Sequence, residues 1–427
     1  MNANRIDVST MGMPGAMKTP RPDPEARTFL RIFNLVAWRP LRSYTLAQLR
    51  LRWRYFALAV GRRDPVGHID QVVIDSPSGP IKLRIYFPAG GDGRARPAFV
   101  WFHGGAFLIG EAGTTDSICR SIANTAGCAV VAVDYRLAPE HDLYAGREDG
   151  MTAIEWIFKN GPQFGIDPTS VAIGGDSAGG NLAAALAQQF GKRGLPALRL
   201  QVLIYPATNL ADEPASKADN ASGYLLTAEV IDWVRSVVGD NVNYRDSRLS
   251  PAYGKDFSGL APALVVTAGF DPIRDDGLAY TQLLREAGVP VELLHYPGQF
   301  HGFINCDTVL SAARDALYRI GSALGAALAD GDGRRTCPNR TLEMINARQA
   351  RMPLPTFAAD TITATFMAVE WFEYQRNRIF KILAPATANL VDASWLLNVA
   401  ANIRGTRTVS TIEARETFGN GANHWAA

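Results

Sequence analysis

Residues 170–190 read SVAIGGDSAGGNLAAALAQQF. The opening SVAIGG is an apolar, small-residue run of the kind that forms a strand buried on both faces. NLAAALAQQF reads as the helix that follows. Between them stands Gly175-Asp176-Ser177-Ala178-Gly179, a G-x-S-x-G motif at a strand-to-helix turn. The glycines permit a tight, strained turn and let strand and helix approach closely. Such a turn exposes the Ser177 hydroxyl at the C-terminal edge of the sheet, where the helix N-terminus favours developing negative charge. The bare motif recurs by chance. Its strand–turn–helix context favours a nucleophilic Ser177 over a turn whose glycines are only structural.

Outward from this turn the chain alternates strand and helix. QVVID (71–75) and IKLRIYF (81–87), separated by SPSGP, read as an antiparallel pair. PAFVWFH (97–103), CAVVAVDY (128–135), LRLQVLIYP (198–206), ALVVTAGF (263–270) and VELLHYP (291–297) continue the series. Helical stretches near 115–126, 146–160, 178–192, 276–287 and 308–329 separate or follow them. The expectation is an α/β fold, a mostly parallel eight-stranded sheet with helices on both faces. Residues 207–261 form a connection too long for a plain loop. They are expected to carry a helix near 227–238 and to form a helical cap over the strand ends.

Residues 1–27 are expected to be a flexible tail. Phe29, Ile32, Phe33 and Val36, then Leu46, Leu49, Trp53 and Phe56, lie at helical spacing. These two helices, within 28–66, are expected to complete the cap. The main domain is therefore drawn over 28–330. GDGRRTCPNR (331–340) reads as a linker. Residues 331–427 are an extension of unassigned role, expected to hold one or two helices.

The chain has 427 residues, 47% hydrophobic and 20% charged, which excludes wholesale disorder. It has no apolar run of about 18 residues, so no membrane span is expected. The first 25 residues lack an apolar signal core, which makes a cytoplasmic location the expectation. A net charge of +2 gives no argument for nucleic acid. The distribution is uneven: 12 basic and 5 acidic groups in residues 1–70, against 20 and 28 in residues 71–330. The basic arm is read as lying against the acidic middle rather than on an anionic partner. Cys119, Cys128, Cys306 and Cys337 match no metal-binding spacing. They are expected to be reduced thiols, with Cys306 a buried apolar residue rather than a reactive one.

An attacking serine needs a base, and histidine suits neutral pH. Six histidines are present: His68, His103, His141, His295, His301 and His424. The chain order nucleophile, acid, histidine leaves the last three. His295 lies inside a strand and His424 near the chain end. His301, in the loop GQFHGF at the sheet's C-terminal edge, is the expected base. Asp271 follows the strand ALVVTAGF directly and is the expected acid, to fix the imidazole tautomer and stabilise the imidazolium. Asp275 and Asp276 are read as opening the next helix. His103-Gly104-Gly105-Ala106-Phe107 ends the third strand, where a glycine-rich loop can aim N–H groups at an oxyanion, together with the N–H of Ala178. His103 is read as a scaffold residue holding that loop. The segment Asp134–Glu140 is read as a buttress, with substrate binding by its Tyr–Arg–Glu cluster as the alternative. Phe107, Asp176, Tyr205, Tyr224 and Leu225 are candidate substrate-contacting residues, and Tyr224 and Leu225 are equally readable as cap core.

HGGAF, DYRLAPE, GDSAG, DPIRDDG and HGF occur in this order. Together they resemble the hormone-sensitive-lipase-like esterases of the α/β-hydrolase superfamily, in the bacterial GDSAG branch, over roughly residues 28–330. The resemblance implies a capped eight-stranded hydrolase domain acting on short- to medium-chain carboxylic esters. It implies Ser177, Asp271 and His301 as the triad and oxyanion donors at Gly104, Gly105 and Ala106. The family more often reads HGGG. Alanine keeps its N–H, so the hole can survive if the φ of Ala106 is negative.

The expected activity is that of a serine carboxylesterase working through an acyl-enzyme, with no metal or organic cofactor. An amidase, deacetylase or acyltransferase would share the triad. A non-catalytic small-molecule receptor on the same fold would lack the histidine, which His301 argues against. The expected partner is a small-molecule ester, with no nucleic acid and no stable membrane insertion, and a homodimer is left open.

Overall fold

A computed structural model describes residues 18–36, 40–90, 93–190, 196–239, 241–329, 337–345 and 413–417. Its strands are β1 (His68–Ile74), β2 (Ile81–Phe87), β3 (Arg96–Phe102), β4 (Ala129–Asp134), β5 (Ile166–Asp176), β6 (Gln201–Ile204), β7 (Ala263–Phe270), β8 (Val291–Phe300), β9 (Arg340–Ile345) and β10 (Glu413–Thr417). They form one sheet in the order β1-β2-β4-β3-β5-β6-β7-β8-β9-β10. β1, β2 and β4 pair antiparallel, whereas β4 through β9 pair parallel in that spatial order. In β2, Ile81, Leu83 and Ile85 are buried while Lys82 is exposed, the period-2 signature of a strand with one wet face. β7 and β8 are buried along their whole length, as their unbroken apolar runs require.

The helices are α1 (Pro24–Val36), α2 (Leu46–Val60), α3 (Asp116–Ala126), α4 (Ala145–Asn160), α5 (Ala178–Phe190), α6 (Ala215–Asp219), α7 (Ala228–Val238), α8 (Arg274–Glu286) and α9 (Ser311–Ala329). α1, α2, α3 and α9 share one apolar cluster with one face of the sheet. α4, α5 and α8 share a second cluster with the other face. Burying each Leu, Ile, Val or Phe in these layers is worth about 1.5–3 kcal/mol, which is what holds the sheet between them. The crossover that inserts β3 between β4 and β5 brings the C-terminal ends of β3 and β5 side by side, with Phe102 opposite Gly175. Open α/β sheets bind ligands at such strand ends.

The eight strands expected from the sequence are present, and the sheet carries two more. β9 adds parallel to β8, with Arg340 ion-paired to Glu292 at 2.7 Å and with Leu342 and Met344 buried. β10 pairs antiparallel with β9. Residues 340–345 are therefore a strand rather than linker and helix. The helices expected further along the extension fall in 346–412 and 418–427, outside the described residues.

The tail boundary at 27 also needs correction. Thr19 N–H donates to Pro297 O and Asp23 N–H to Gly298 O, and the buried Asp23 carboxylate accepts from Gln299 Nε2 at 2.8 Å. Glu25 accepts from the N–H and hydroxyl of Ser311. These nonlocal partners, more than 270 positions away, dock residues 18–27 on the end of β8. Residues 1–17 lie outside the described residues. α1 continues this contact, with Phe29 stacked on Phe300 at 5.4 Å between ring centres. The two stems of the 207–261 connection are laced together by Ala252 N–H to Thr208 O and Leu210 N–H to Ser250 Oγ.

Candidate active site

The turn at Ser177 has the strain its sequence implies. Ser177 has φ 55°, a left-handed conformation that costs a non-glycine residue about 1–2 kcal/mol. Its N–H donates to Ile204 O at 2.9 Å, and its carbonyl accepts from Asn181 N–H at 3.0 Å. Gly179 makes the close approach possible: a Cβ there would lie 2.5 Å from the Phe102 carbonyl carbon and 2.7 Å from His103 O.

His301 stands at the other side of this turn. Its Nε2 accepts from Ser177 Oγ at 2.8 Å, and its Nδ1–H donates to Asp271 Oδ2 at 2.8 Å. Asp271 is fully buried and His301 nearly so. The acid loop is itself braced. Asp271 Oδ1 accepts from Ile273 N–H, and its carbonyl accepts from the Asn220 carboxamide at 3.0 Å. Asp275 accepts from Ser216 N–H and pairs with Arg274, while Asp276 accepts from Asn209 N–H. Both acids open α8 as expected, and both also tie the cap to the acid loop. His295 lies in β8, buried, with Nδ1 2.9 Å from Thr267 Oγ1.

The loop after β3 departs from expectation at two residues. Gly104 is not a free donor, because its N–H donates to Asp176 Oδ1 at 2.7 Å. Ala106 has φ 54°, not a negative value, and Phe107 follows at φ 63°. The turn closes by Leu108 and Ile109 N–H groups donating to Gly105 O, with both central residues in the left-handed region. Gly105 has φ 124°, open in practice to glycine alone. No protein acceptor among the described residues takes the N–H of Gly105, Ala106 or Ala178. His103 is a scaffold residue: it is buried, its Nδ1–H donates to Gly104 O, its ring stacks on Tyr135, and burial holds its pKa below the ordinary histidine value.

Asp176 is buried and accepts the Gly104 N–H, so it is a partner of the loop rather than the substrate contact expected from its place in the motif. Burial pushes its pKa up to about 6, against the opposing pull of the Gly104 N–H, His301 and the Asn305 side chain. Tyr205 is also buried. Its ring packs 4.5 Å from that of His301, and its hydroxyl lies 3.5 Å from Asn305 Nδ2. Phe107 is buried beneath the Arg147 guanidinium, 5.8 Å from its ring centre. Tyr224 packs on Phe270 at 5.3 Å. Leu225 lies beside Gly302, next to the histidine. Asn305 was missed in the sequence, where INCD carries no recognisable motif. Tyr135, Arg136 and Glu140 have protein partners, namely His103 O, Asp149 and Arg50, as a buttress requires. Cys306 is buried, and burial pushes its thiol pKa up. Among the described residues no cluster of three or more His, Cys, Asp or Glu is placed to hold a metal, and no helix is long and apolar enough to cross a membrane.

A family model described as the α/β hydrolase fold matches residues 99–305. The carboxylic ester hydrolase LipN of Mycobacterium tuberculosis is 41% identical over 250 residues, 56% of this chain and 66% of that protein. The ethyl acetate hydrolase of Pseudomonas putida is 36% identical over 275 residues, 63% of this chain and 86% of that protein. The solved hyperthermophilic esterase of the archaeon Pyrobaculum calidifontis aligns with a TM-score of 0.67 at 35% identity, covering 71% of this chain and 98% of its own.

Proposed function

The chain belongs to the hormone-sensitive-lipase-like esterases of the α/β-hydrolase family, and from that premise we propose that it is a serine carboxylesterase acting on short- to medium-chain esters through Ser177, His301 and Asp271. One observation carries the assignment of residues: the continuous hydrogen-bonded run Asp271–His301–Ser177, with 2.8 Å at each step. The name of the ethyl acetate hydrolase relative supports the short end of the acyl range.

In this reading Ser177 Oγ attacks the ester carbonyl while His301 Nε2 takes its proton. Asp271 holds the Nδ1–H tautomer and stabilises the imidazolium. The oxyanion forms against the N–H groups of Gly105, Ala106 and Ala178, each such donor worth about 3 kcal/mol of barrier. His301 passes the proton to the departing alcohol. It then activates water against the acyl-enzyme, releasing the acid and restoring the serine. Leu225, beside Gly302, contributes to the cap side of the acyl pocket.

Hydrolysis of p-nitrophenyl esters across acyl lengths, with Ser177→Ala in parallel, tests the proposal. It expects turnover on short and medium chains and a loss of roughly 10⁴-fold or more in the variant. Equal turnover by folded Ser177→Ala overturns it.

A further inference from the structure

Three strand ends meet at one buried carboxylate. Asp176 closes β5 and precedes the nucleophile. One of its oxygens accepts the Gly104 N–H at 2.7 Å, from the loop after β3. The Asn305 side chain, in the segment after His301, faces the same carboxylate and favours its charged form. Asn305 Nδ2 reaches Gly302 O at 3.2 Å and the Tyr205 hydroxyl at 3.5 Å, and the Tyr205 ring lies against His301. The fit at Gly104 is close: a Cβ there would stand 2.9 Å from the Asp176 carbonyl oxygen. Gly104 is covalently next to Gly105, so its anchor sets where the free N–H groups of the loop point.

We propose that Asp176 is a positioning residue which, as a carboxylate, registers the oxyanion loop and the histidine loop against Ser177. The inference rests on the serine-esterase reading above. A carboxylate is suited to this place because it is acceptor-only and can take donors from both loops. An asparagine would offer an amide donor to at least one group that is itself a donor. The titratable groups facing Asp176 are His301 from the loop after β8, Tyr135 after β4, Tyr205 after β6 and Cys119 on α3. Burial pushes the pKa of both tyrosines and of the thiol up, so they stay neutral across the working range. His301 is the remaining facing group, and its charge favours the carboxylate. The ionised carboxylate therefore also favours the imidazolium that forms during the reaction.

The test compares kcat, KM and the acid limb of the kcat/KM–pH profile in the wild type, Asp176→Asn, Asn305→Ala and Ser177→Ala, each checked for folding by circular dichroism. In Asp176→Asn, kcat falls about 10- to 100-fold while KM stays within about twofold, because oxyanion donors act on the transition state. Its acid limb moves to lower pH, since an anion near His301 has gone. In Asn305→Ala the limb moves the other way. Asp176 loses a donor that favoured its charged form, and its protonation then disables the loop at higher pH. These opposite shifts are what a merely structural role would not produce. Folded Asp176→Asn with kcat within about threefold of the wild type, or limbs that do not move, overturns the inference. Should Asp176→Asn not fold, the Asn305→Ala limb decides alone. Ser177→Ala separates the two levels: loss there without loss in Asp176→Asn refutes only the positioning role, whereas full turnover in Ser177→Ala refutes the reading beneath it.

Discussion

Replacing Gly179 by alanine tests whether the strand-to-helix turn sets the reacting geometry. The added Cβ would stand 2.5 Å from the Phe102 carbonyl carbon and 2.7 Å from His103 O, with Phe102 O nearer still. An ordinary carbon–carbon contact needs about 3.5 Å, so the start of α5 must retreat from the end of β3 by about 1 Å. All the opposing atoms are backbone, and no side-chain rotation relieves the clash. α5 begins at Ala178 and carries that residue's N–H with it, while Gly105 and Ala106 stay with β3. A misplacement of 1 Å at a reacting centre costs about 10²-fold in rate, and the overpacking costs about 1–3 kcal/mol of stability. Steady-state kinetics on p-nitrophenyl butyrate, with urea unfolding of the same preparation, reads both. The expected result is a folded, less stable enzyme with kcat down about 100-fold and KM little changed. A folded Gly179→Ala enzyme with kcat within threefold of the wild type would refute the reasoning.

Asp271→Asn should keep the fold and lower kcat roughly 10⁴-fold, because the asparagine amide favours the wrong imidazole tautomer; single-turnover kinetics checks this. Asp307, buried under Ser117 Oγ and Arg62 N–H, has its pKa pushed up by burial to about 6. A raised carboxyl pKa gives stability that is present below the unfolded value near 3.8 and is lost as pH rises through about 6. Asp307→Asn should therefore gain on the wild type across that window, by up to about 3 kcal/mol at 1.36 kcal/mol per unit, and hold the gain above it. Urea unfolding at a series of pH values reads the difference, and a gap independent of pH contradicts it. Met344→Ala should cost about 2 kcal/mol or more, since Met344 is buried in β9. Unchanged stability would show that β9 does not dock on β8.

The legible parts of the molecule were those whose physics is local. Apolar runs such as ALVVTAGF announce buried strands, and Gly175–Gly179 announces its turn because glycine and strand–helix context are contiguous. His301 and Asp271 followed from chain order and from their places just past strand ends. What escaped depends on partners far away in the chain. Gly104 looked like a donor to substrate because nothing near it shows that Asp176, 72 positions on, takes its N–H. Ala106 has a positive φ in the turn that closes onto Gly105 O, a conformation that alanine does not advertise. Asn305 became visible only when Asp176 and Tyr205 converged on it. Leu342 and Met344 alternate with polar neighbours in RTLEMI, too short a pattern to outweigh the linker-like residues before it. Asp23 and Glu25 read as a charged tail until β8 and α9 supply Gln299 and Ser311.

The central claim is that Ser177 carries the acyl group. Reaction with a p-nitrophenyl alkylphosphonate, followed by peptide mass spectrometry, tests it directly, because phosphorus traps the attacking oxygen in a stable tetrahedral adduct. The account predicts one phosphonyl group per chain, on Ser177, with activity lost in proportion and no labelling of Ser177→Ala. Inactivation with the adduct on another residue, or equal labelling of Ser177→Ala, would contradict it.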